Sequence, residues 1–399
     1  MSDYTVRLLE TEEHRAAWDL FRGTLHSPPG KDEEWDRVRR AYLAGRVWGA
    51  SDLELIGAAR SFDAEMALPG GNLVPLAGVT GIGVRAGRTR RGVLTALQTA
   101  QLREFAERGV VAASLHATEG TIYSRFGYGV TTLCRDLQVD RHRARLRPET
   151  PAGGEVTVYS LKDSVARWPE LYRATGLPRP AMITRPDACW AGYESLAYRI
   201  SEGMQTVVHH GPDGPDGYAT YHVDHDYERP SRLELFAFHY ANPGAFAGLW
   251  RFLLSVDLVD EIRAHGRPLD EPVELLFEDH RVASVPRTED ESWLRLVDVP
   301  TALTARAYGP GSPVVIEVHD PLLPANTGRY RVGPEGAERT DTEPALRLDV
   351  TTLAMLYFGA WKASALAAVG RIEVLDAAAP ASADTLFGTR IAAWCGTFF

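Results

Sequence analysis

The chain has 399 residues, 45% apolar and 24% charged, with a formal net charge of -10. That length exceeds the usual size of a single hydrophobic core, so two or three domains are expected. No run of about 18 uncharged apolar residues exists to span a membrane, and an acidic surface argues against binding a nucleic-acid backbone. The charged amino terminus has no apolar h-region of a secretory signal. Three scattered cysteines, Cys134, Cys189 and Cys395, are too few for a disulfide framework or a zinc cluster. A cytoplasmic protein is expected, with no metal, nucleic acid or membrane among its partners. An acidic field suits a cationic small-molecule ligand instead.

In chain order, residues 12–21 and 34–43 read as helices. Residues 54–64 and 73–84 read as strands joined by the turn Pro69-Gly70-Gly71-Asn72, a hairpin signal. A loop rich in Arg and Gly (85–92) precedes a helix over 93–107, whose apolar face holds Val93, Leu94, Leu97, Ala100, Phe105 and Ala106. Gly109 closes it. Strands are expected over 110–117 and 133–140, and residues 141–154, rich in Arg, Pro and Gly, read as a linker. Residues 155–285 form a second mixed unit, with a polar turn over 211–217. A helix opens there at Asn242-Pro243, where Asn caps and Pro fits the first turn. From residue 292 a third unit carries strands over 293–297, 314–318, 328–332 and 346–350, then helices over 352–360 and 364–369. The fold class is α+β with mixed sheets, in three domains: 1–145, 146–290 and 291–399.

The segment from Ile82, Gly83 and Val84 through Arg90, Arg91, Gly92, Val93, Leu94 and Thr95 joins a strand to a helix. Backbone N–H groups at a helix amino terminus, with the helix dipole behind them, form an anion site. Arginines at 88, 90 and 91 add guanidinium forks suited to phosphate oxygens. Neither a Walker loop nor a Rossmann glycine pattern is present.

Arg90-Arg91-Gly92 between a strand and a helix resembles the pyrophosphate loop of GNAT acetyltransferases, which grips coenzyme A. Thr89 and Leu94 depart from the usual family form, which has Gln or Arg and Gly or Ala there. The segment from Leu115 and His116 through Thr118, Glu119, Tyr123, Ser124 and Arg125-Phe126-Gly127-Tyr128-Gly129 is very similar to the corresponding segment of the enhanced intracellular survival (Eis) family. The resemblance implies that Tyr123 is the general acid protonating the departing thiolate and that Thr118 and Glu119 touch acetyl-CoA. A tyrosine, with an ordinary pKa near 10, is protonated at neutral pH and can donate to sulfur. Tyr128 reads as structural.

The resemblance continues over essentially the whole chain. Its middle part is similar to the family's second GNAT-like domain, which has lost the phosphate loop. Residues 293–300, 348–357 and 367–371 resemble the sterol-carrier-like third domain. It further implies that the carboxylate of the last residue, Phe399, is the general base, that the acceptors are aminoglycosides or similar cationic polyamines, and that the protein is a homohexamer. An α-carboxylate is ionised at pH 7 but weakly basic, unless burial by the terminal Phe398-Phe399 pair raises its pKa.

The alternative is a lipid carrier using the third domain, which requires an apolar cavity there. His222, Asp224, His225 and Asp226 resemble a metal cluster only on paper, because a strand divides them between two faces. The run Asp32-Glu33-Glu34 beside Trp35 is expected to be a solvated helix start, with a cationic-pocket rim as the other possibility.

Overall fold

The computed structural model describes residues 4–225, 228 and 230–399. The chain forms two compact units. One gathers Met1–Thr132, Arg179–Gly192 and Asp290–Phe399; the other comprises Leu133–Pro178 and Tyr193–Glu289.

The first unit begins with β1 (Thr5–Leu8), α1 (His14–Thr24) and α2 (Asp32–Val38), followed by β2 (Val47–Ser51), β3 (Leu55–Ala67) and β4 (Leu73–Val84). The turn expected at 69–72 joins β3 to β4, with Gly70 and Gly71 at φ 99° and 90° and Leu68 N–H donating to Asn72 O at 2.8 Å. Next come α3 (Val93–Glu107), β5 (Ala112–Leu115) and the short β6 (Gly129–Val130). The sheet order is β1, β2, β3, β4, β5, the strand Trp293–Leu296, then β6. Among the described residues of this sheet only β4 and β5 pair in parallel, so a crossover is obligatory there and α3 supplies it. Leu97, Leu102 and Phe105 of α3 are buried.

Sheet membership does not follow chain order. Trp293–Leu296 pairs with β5 and β6, while Leu133–Asp140 pairs with Glu261–Pro268 in the second unit. Apolar alternation reports which face of a strand is buried, not which neighbour it takes.

A five-stranded sheet completes the first unit, ordered Gly336–Arg339, Gly328–Gly333, Val314–His319, Leu346–Asp349 and Glu373–Val374. The helix Val350–Tyr357 is buried along its whole length. Its residues reach the first sheet: Thr131 Oγ1 donates to Ala354 O at 2.9 Å, and Thr351 Oγ1 to Ser124 O at 3.1 Å. The link between the layers includes a fully buried ion pair, Arg295 with Asp320, at 2.7 Å.

The interior of this layer is filled by Tyr357, Phe358 and Phe387 and by a guanidinium. Arg306, 3% exposed, lies over the rings of Tyr308, Tyr357 and Phe387 at 4.7, 5.4 and 4.9 Å. It donates to the carbonyls of Tyr357, Ala307 and Phe387. A cavity of about 410 Å³ at the sheet edge is lined by Glu317, Gly328, Arg329, Arg339, Thr340 and Asp341.

The second unit is built on a seven-stranded sheet, ordered Ala283–Asp290, Leu133–Asp140, Glu261–Pro268, Arg232–Tyr240, Gly214–Asp224, Gln205–Gly211 and Glu155–Ser160. Its core holds Trp250, Phe238, Phe246 and Leu249. Residues 141–154 are irregular, as expected of a linker, yet they are tied down. Leu146 bridges Phe277, and Arg141 Nε donates to Leu254 O at 3.0 Å.

Candidate active site

The parallel β4–β5 ladder is short. It runs through Leu76, Ala77 and Gly78 opposite Ala112, Ala113 and Ser114, while β4 continues to Val84. Beyond Gly78 the β4 edge has left its β5 partner. On its other side, Gly81 and Ile82 together oppose Ala59 of β3, since Ala58 pairs with Gly83 and Arg60 with Thr80. This is a β-bulge, which bends and twists the strand locally. Gly81 adopts φ 62° there, a conformation glycine reaches without steric cost. The result is a strand edge from Val79 to Ile82 whose ladder to β5 has ended, pointing toward the start of α3.

The loop 85–92 delivers the chain to α3. Arg90 and Gly92 both lie in the left-handed region, at φ 61° and 82°, the kind of backbone turn around which N–H groups converge on an anion. Gly92 is the N-cap and offers no side chain to the first N–H groups of α3, so these remain available to a ligand. The arginines divide. Arg88 is engaged by Asp52 at 2.6 Å and Arg85 by Glu54 at 3.2 Å. Arg90 and Arg91 are exposed, and among the described residues neither pairs with a carboxylate. Val93 is 2% exposed and packs with Ala50, Ile56, Ala59 and Leu97; only its backbone can face a ligand. Thr95 is exposed and Leu94 half-buried.

The second unit repeats the strand–helix–parallel strand arrangement with the opposite outcome. Arg232–Tyr240 pairs in parallel with Glu261–Pro268 and leads to the helix Pro243–Ser255. There Asn242 Oδ1 accepts from Ala245 N at 3.0 Å and Pro243 occupies the first turn. The helix start is capped by its own chain, and no Arg/Gly loop precedes it.

Tyr123 caps a single 3₁₀ turn, Ser124–Phe126. It is 7% exposed and packs in one apolar cluster with Leu115, Phe126, Tyr128 and Trp293, bordered by Ile82 and Leu94. The expected tyrosine and two expected cofactor residues therefore share a cluster. Burial, and secondarily the charge of Glu119, pushes the Tyr123 phenol up to about 12. Glu119 and Thr118 are exposed in the bend after β5. Tyr128 is fully buried, its ring 6.0 Å from that of Tyr123. The turn needs glycine at 127, because a Cβ there would sit 2.6 Å from Arg295 Nε.

The chain end arrives at the same sheet. The Phe399 ring meets Phe62 of β3 edge-on at 5.1 Å and His116, just beyond β5, at 4.9 Å. Phe398 is 62% exposed and its ring lies 5.1 Å from that of His116. His116 Nε2 is 2.8 Å from Thr397 O and donates to it. Burial lowers the His116 pKa, opposed by the carbonyls of Thr397 and Glu291. Two further side chains hold the tail. Glu291 accepts from Cys395 N at 3.0 Å and Gly396 N at 2.7 Å. Arg185 donates to Gly396 O at 2.6 Å and Thr397 Oγ1 at 3.0 Å. Neither residue belongs to a recognisable motif, and sequence reasoning did not single them out.

The acidic run at α2 is locally committed. Asp32 meets Arg15 at 3.2 Å, and Glu34 accepts from Lys31 N at 3.0 Å. Trp35 packs against Trp18 and Tyr42 at 5.5 and 5.4 Å. This is the helix-start reading. His222 and Asp224 stand opposite Glu234 and Arg232 in the ladder, and His225 meets Ser231 at 3.0 Å; Asp226 lies outside the described residues. Among those residues no group of three His, Cys, Asp or Glu side chains could hold a metal ion, and no helix is long and apolar enough to cross a membrane.

Comparison with known proteins accounts for this architecture. Residues 5–131 and 181–296 each match an acetyltransferase (GNAT) domain family, and residues 299–396 match a sterol carrier protein domain family. An uncharacterized N-acetyltransferase of Streptomyces coelicolor is 34% identical, covering 97% of this chain and 98% of its own. N-acetyltransferase Eis of Mycobacterium bovis is 33% identical over 85% of this chain and 84% of its own. The crystal structure of Eis1 from Mycobacterium abscessus superposes with a TM-score of 0.90 at 35% identity, covering 99% of this chain and all of that one. The chain belongs to the Eis family. Membership of the GNAT N-acetyltransferases implies acetyl-CoA as the acyl donor. The expected α+β fold, two GNAT domains followed by a sterol-carrier-like domain, is the observed one. The residues fit the donor: an uncapped helix start and two exposed arginines suit its phosphates, and a strand edge without a ladder partner can hydrogen-bond its amide arm.

Proposed function

We propose that this enzyme transfers acetyl from acetyl-CoA directly to a primary amine of an aminoglycoside or a similar cationic polyamine. The observation that carries this reading is the packing of the Phe399 ring on Phe62 of β3 and on His116 just beyond β5. In this reading Arg90, Arg91 and the N–H groups of Gly92, Val93, Leu94 and Thr95 hold the pyrophosphate. Ile82, Gly83 and Val84 border the thioester arm, and Thr118 and Glu119 touch the cofactor.

The chemistry then follows from protonation states. At pH 7 only about one primary amine in a few thousand is free base, given a pKa near 10.4. The Phe399 carboxylate takes the proton that frees the amine lone pair, the neutral nitrogen attacks the acetyl carbon, and its second proton passes to solvent as the amide forms. The carbon–sulfur bond breaks, and Tyr123 O–H donates to the departing sulfur. The products are the acetamide and free coenzyme A, with no covalent acyl-enzyme. The net charge of -10 favours encounter with a cationic acceptor. A homohexameric assembly and a cytoplasmic location belong to the same reading on family grounds.

The test is thiol release from acetyl-CoA with a panel of aminoglycosides and polyamines, comparing the native chain with one extended by two residues beyond Phe399. The extended chain should bind acetyl-CoA normally and lose most of its turnover. Native turnover in the extended chain removes the carboxylate from the mechanism.

A further inference from the structure

If the last carboxylate acts as a base, something must fix it. A free C-terminus frays, and a catalytic group displaced by about 1 Å can lose on the order of 100-fold in rate. The tail has no sheet or helix pairing: residues 388–399 lie outside every helix and strand. Its ordering therefore comes from burial and from single hydrogen bonds to other parts of the chain rather than from a ladder.

The hydrogen bonds are concentrated on three consecutive residues. Gly396 adopts φ 62°, a turn in which the N–H groups of Cys395 and Gly396 both reach the Glu291 carboxylate. Such a paired backbone N–H arrangement is an anion-holding nest. On the carbonyl side Arg185, 8% exposed, grips Gly396 O and Thr397 Oγ1, and His116 takes Thr397 O. One step upstream Trp394 N donates to Pro180 O at 2.9 Å. Charge-assisted hydrogen bonds are roughly twice as strong as neutral ones, and here a carboxylate and a guanidinium grip adjoining parts of one short segment. Only Phe398 and Phe399 extend beyond it. That leaves the terminal carboxylate two residues from a rigid anchor, with the Phe399 ring set by Phe62 and His116.

We infer that Glu291 and Arg185 form a clamp that positions the C-terminal carboxylate for proton abstraction, acting through the tail without touching either substrate. The inference rests on the proposed role of Phe399. Glu291 and Arg185 are positioning residues, not catalytic ones, and their loss should move kcat without moving the binding of acetyl-CoA.

The experiment uses full-length Glu291→Gln and Arg185→Gln, each alone and combined with the two-residue extension, plus Arg185→Lys as the conservative variant. Glutamine at 291 keeps the size but loses the charge and replaces one of the two acceptor oxygens with a donor. Thiol release gives kcat and KM, and carboxypeptidase trimming followed by mass spectrometry reports tail exposure. The expected result is a kcat loss of about 10-fold or more in each glutamine variant, an acetyl-CoA KM within about twofold, and faster removal of Phe399 and Phe398. Arg185→Lys should recover part of the loss. In the extended chain, Glu291→Gln should add no further loss, because the group it positions is already gone. Full turnover in the Glu291→Gln and Arg185→Gln proteins, or losses that multiply with that of the extension, overturns the clamp. If the extension alone leaves turnover intact, the role of Phe399 fails first, and that outcome is read separately from the single variants.

Discussion

Replacing Tyr123 with phenylalanine removes one hydroxyl from a nearly buried ring and should leave the packing of its cluster intact. The size of the effect depends on what the hydroxyl does. With the phenol pushed up to about 12, well above the range of an ordinary thiol, complete transfer of the proton to a thiolate is uphill. A hydrogen bond to the developing sulfur charge carries no such penalty. In the proposed mechanism Tyr123 therefore acts as a hydrogen-bond donor to the departing sulfur. Losing one such donor costs about 100- to 1000-fold in kcat, roughly 3–4 kcal/mol. Steady-state thiol release should show that loss for Tyr123→Phe, with the acetyl-CoA KM within about twofold of native. The pH profile provides an independent check. The active form of Tyr123 is the protonated one and its pKa is raised, so its contribution persists through pH 10 and falls only toward about 12. A loss below about threefold, or an alkaline decline centred near the ordinary tyrosine value of about 10, would refute the argument.

Asp320→Ala leaves the fully buried Arg295 guanidinium without its carboxylate, and chemical denaturation should show a loss of about 3–5 kcal/mol. A loss under about 1 kcal/mol would mean that water reaches the site. Replacing Arg90 and Arg91 together with glutamine should weaken coenzyme A binding by about 10-fold or more, measured by calorimetry. The deficit should shrink at high salt, because the residues are exposed; unchanged affinity would place the phosphates elsewhere. Cys134, Cys189 and Cys395 are all buried, and burial pushes the Cys189 thiol up to about 11 and that of Cys395 higher still. A thiol reagent should leave the native protein unlabelled at pH 7 and titrate three thiols after unfolding. Rapid labelling of the native protein would contradict this.

The readable parts of the sequence were those governed by neighbours in the chain. The β3–β4 turn, the span of α3, the Asn242 cap and the arginine loop each depend on a few consecutive residues, so local conformational preference and hydrophobic period expose them. The same loop also shows the limit of local reading. Arg88 has the composition of a phosphate ligand, yet Asp52 occupies it, and nothing at residues 85–92 announces that partner. Tertiary structure alone decided that Trp293–Leu296 joins the first sheet and that Leu133–Asp140 leaves it. It also assembled the seat of the tail from His116, Arg185 and Glu291, which lie 281, 211 and 105 residues from the atoms they hold. Contacts at that separation leave no periodic trace, because each participant satisfies its own local environment equally well as an ordinary surface Arg, Glu or His. They meet only where folding brings the tail back to the first sheet.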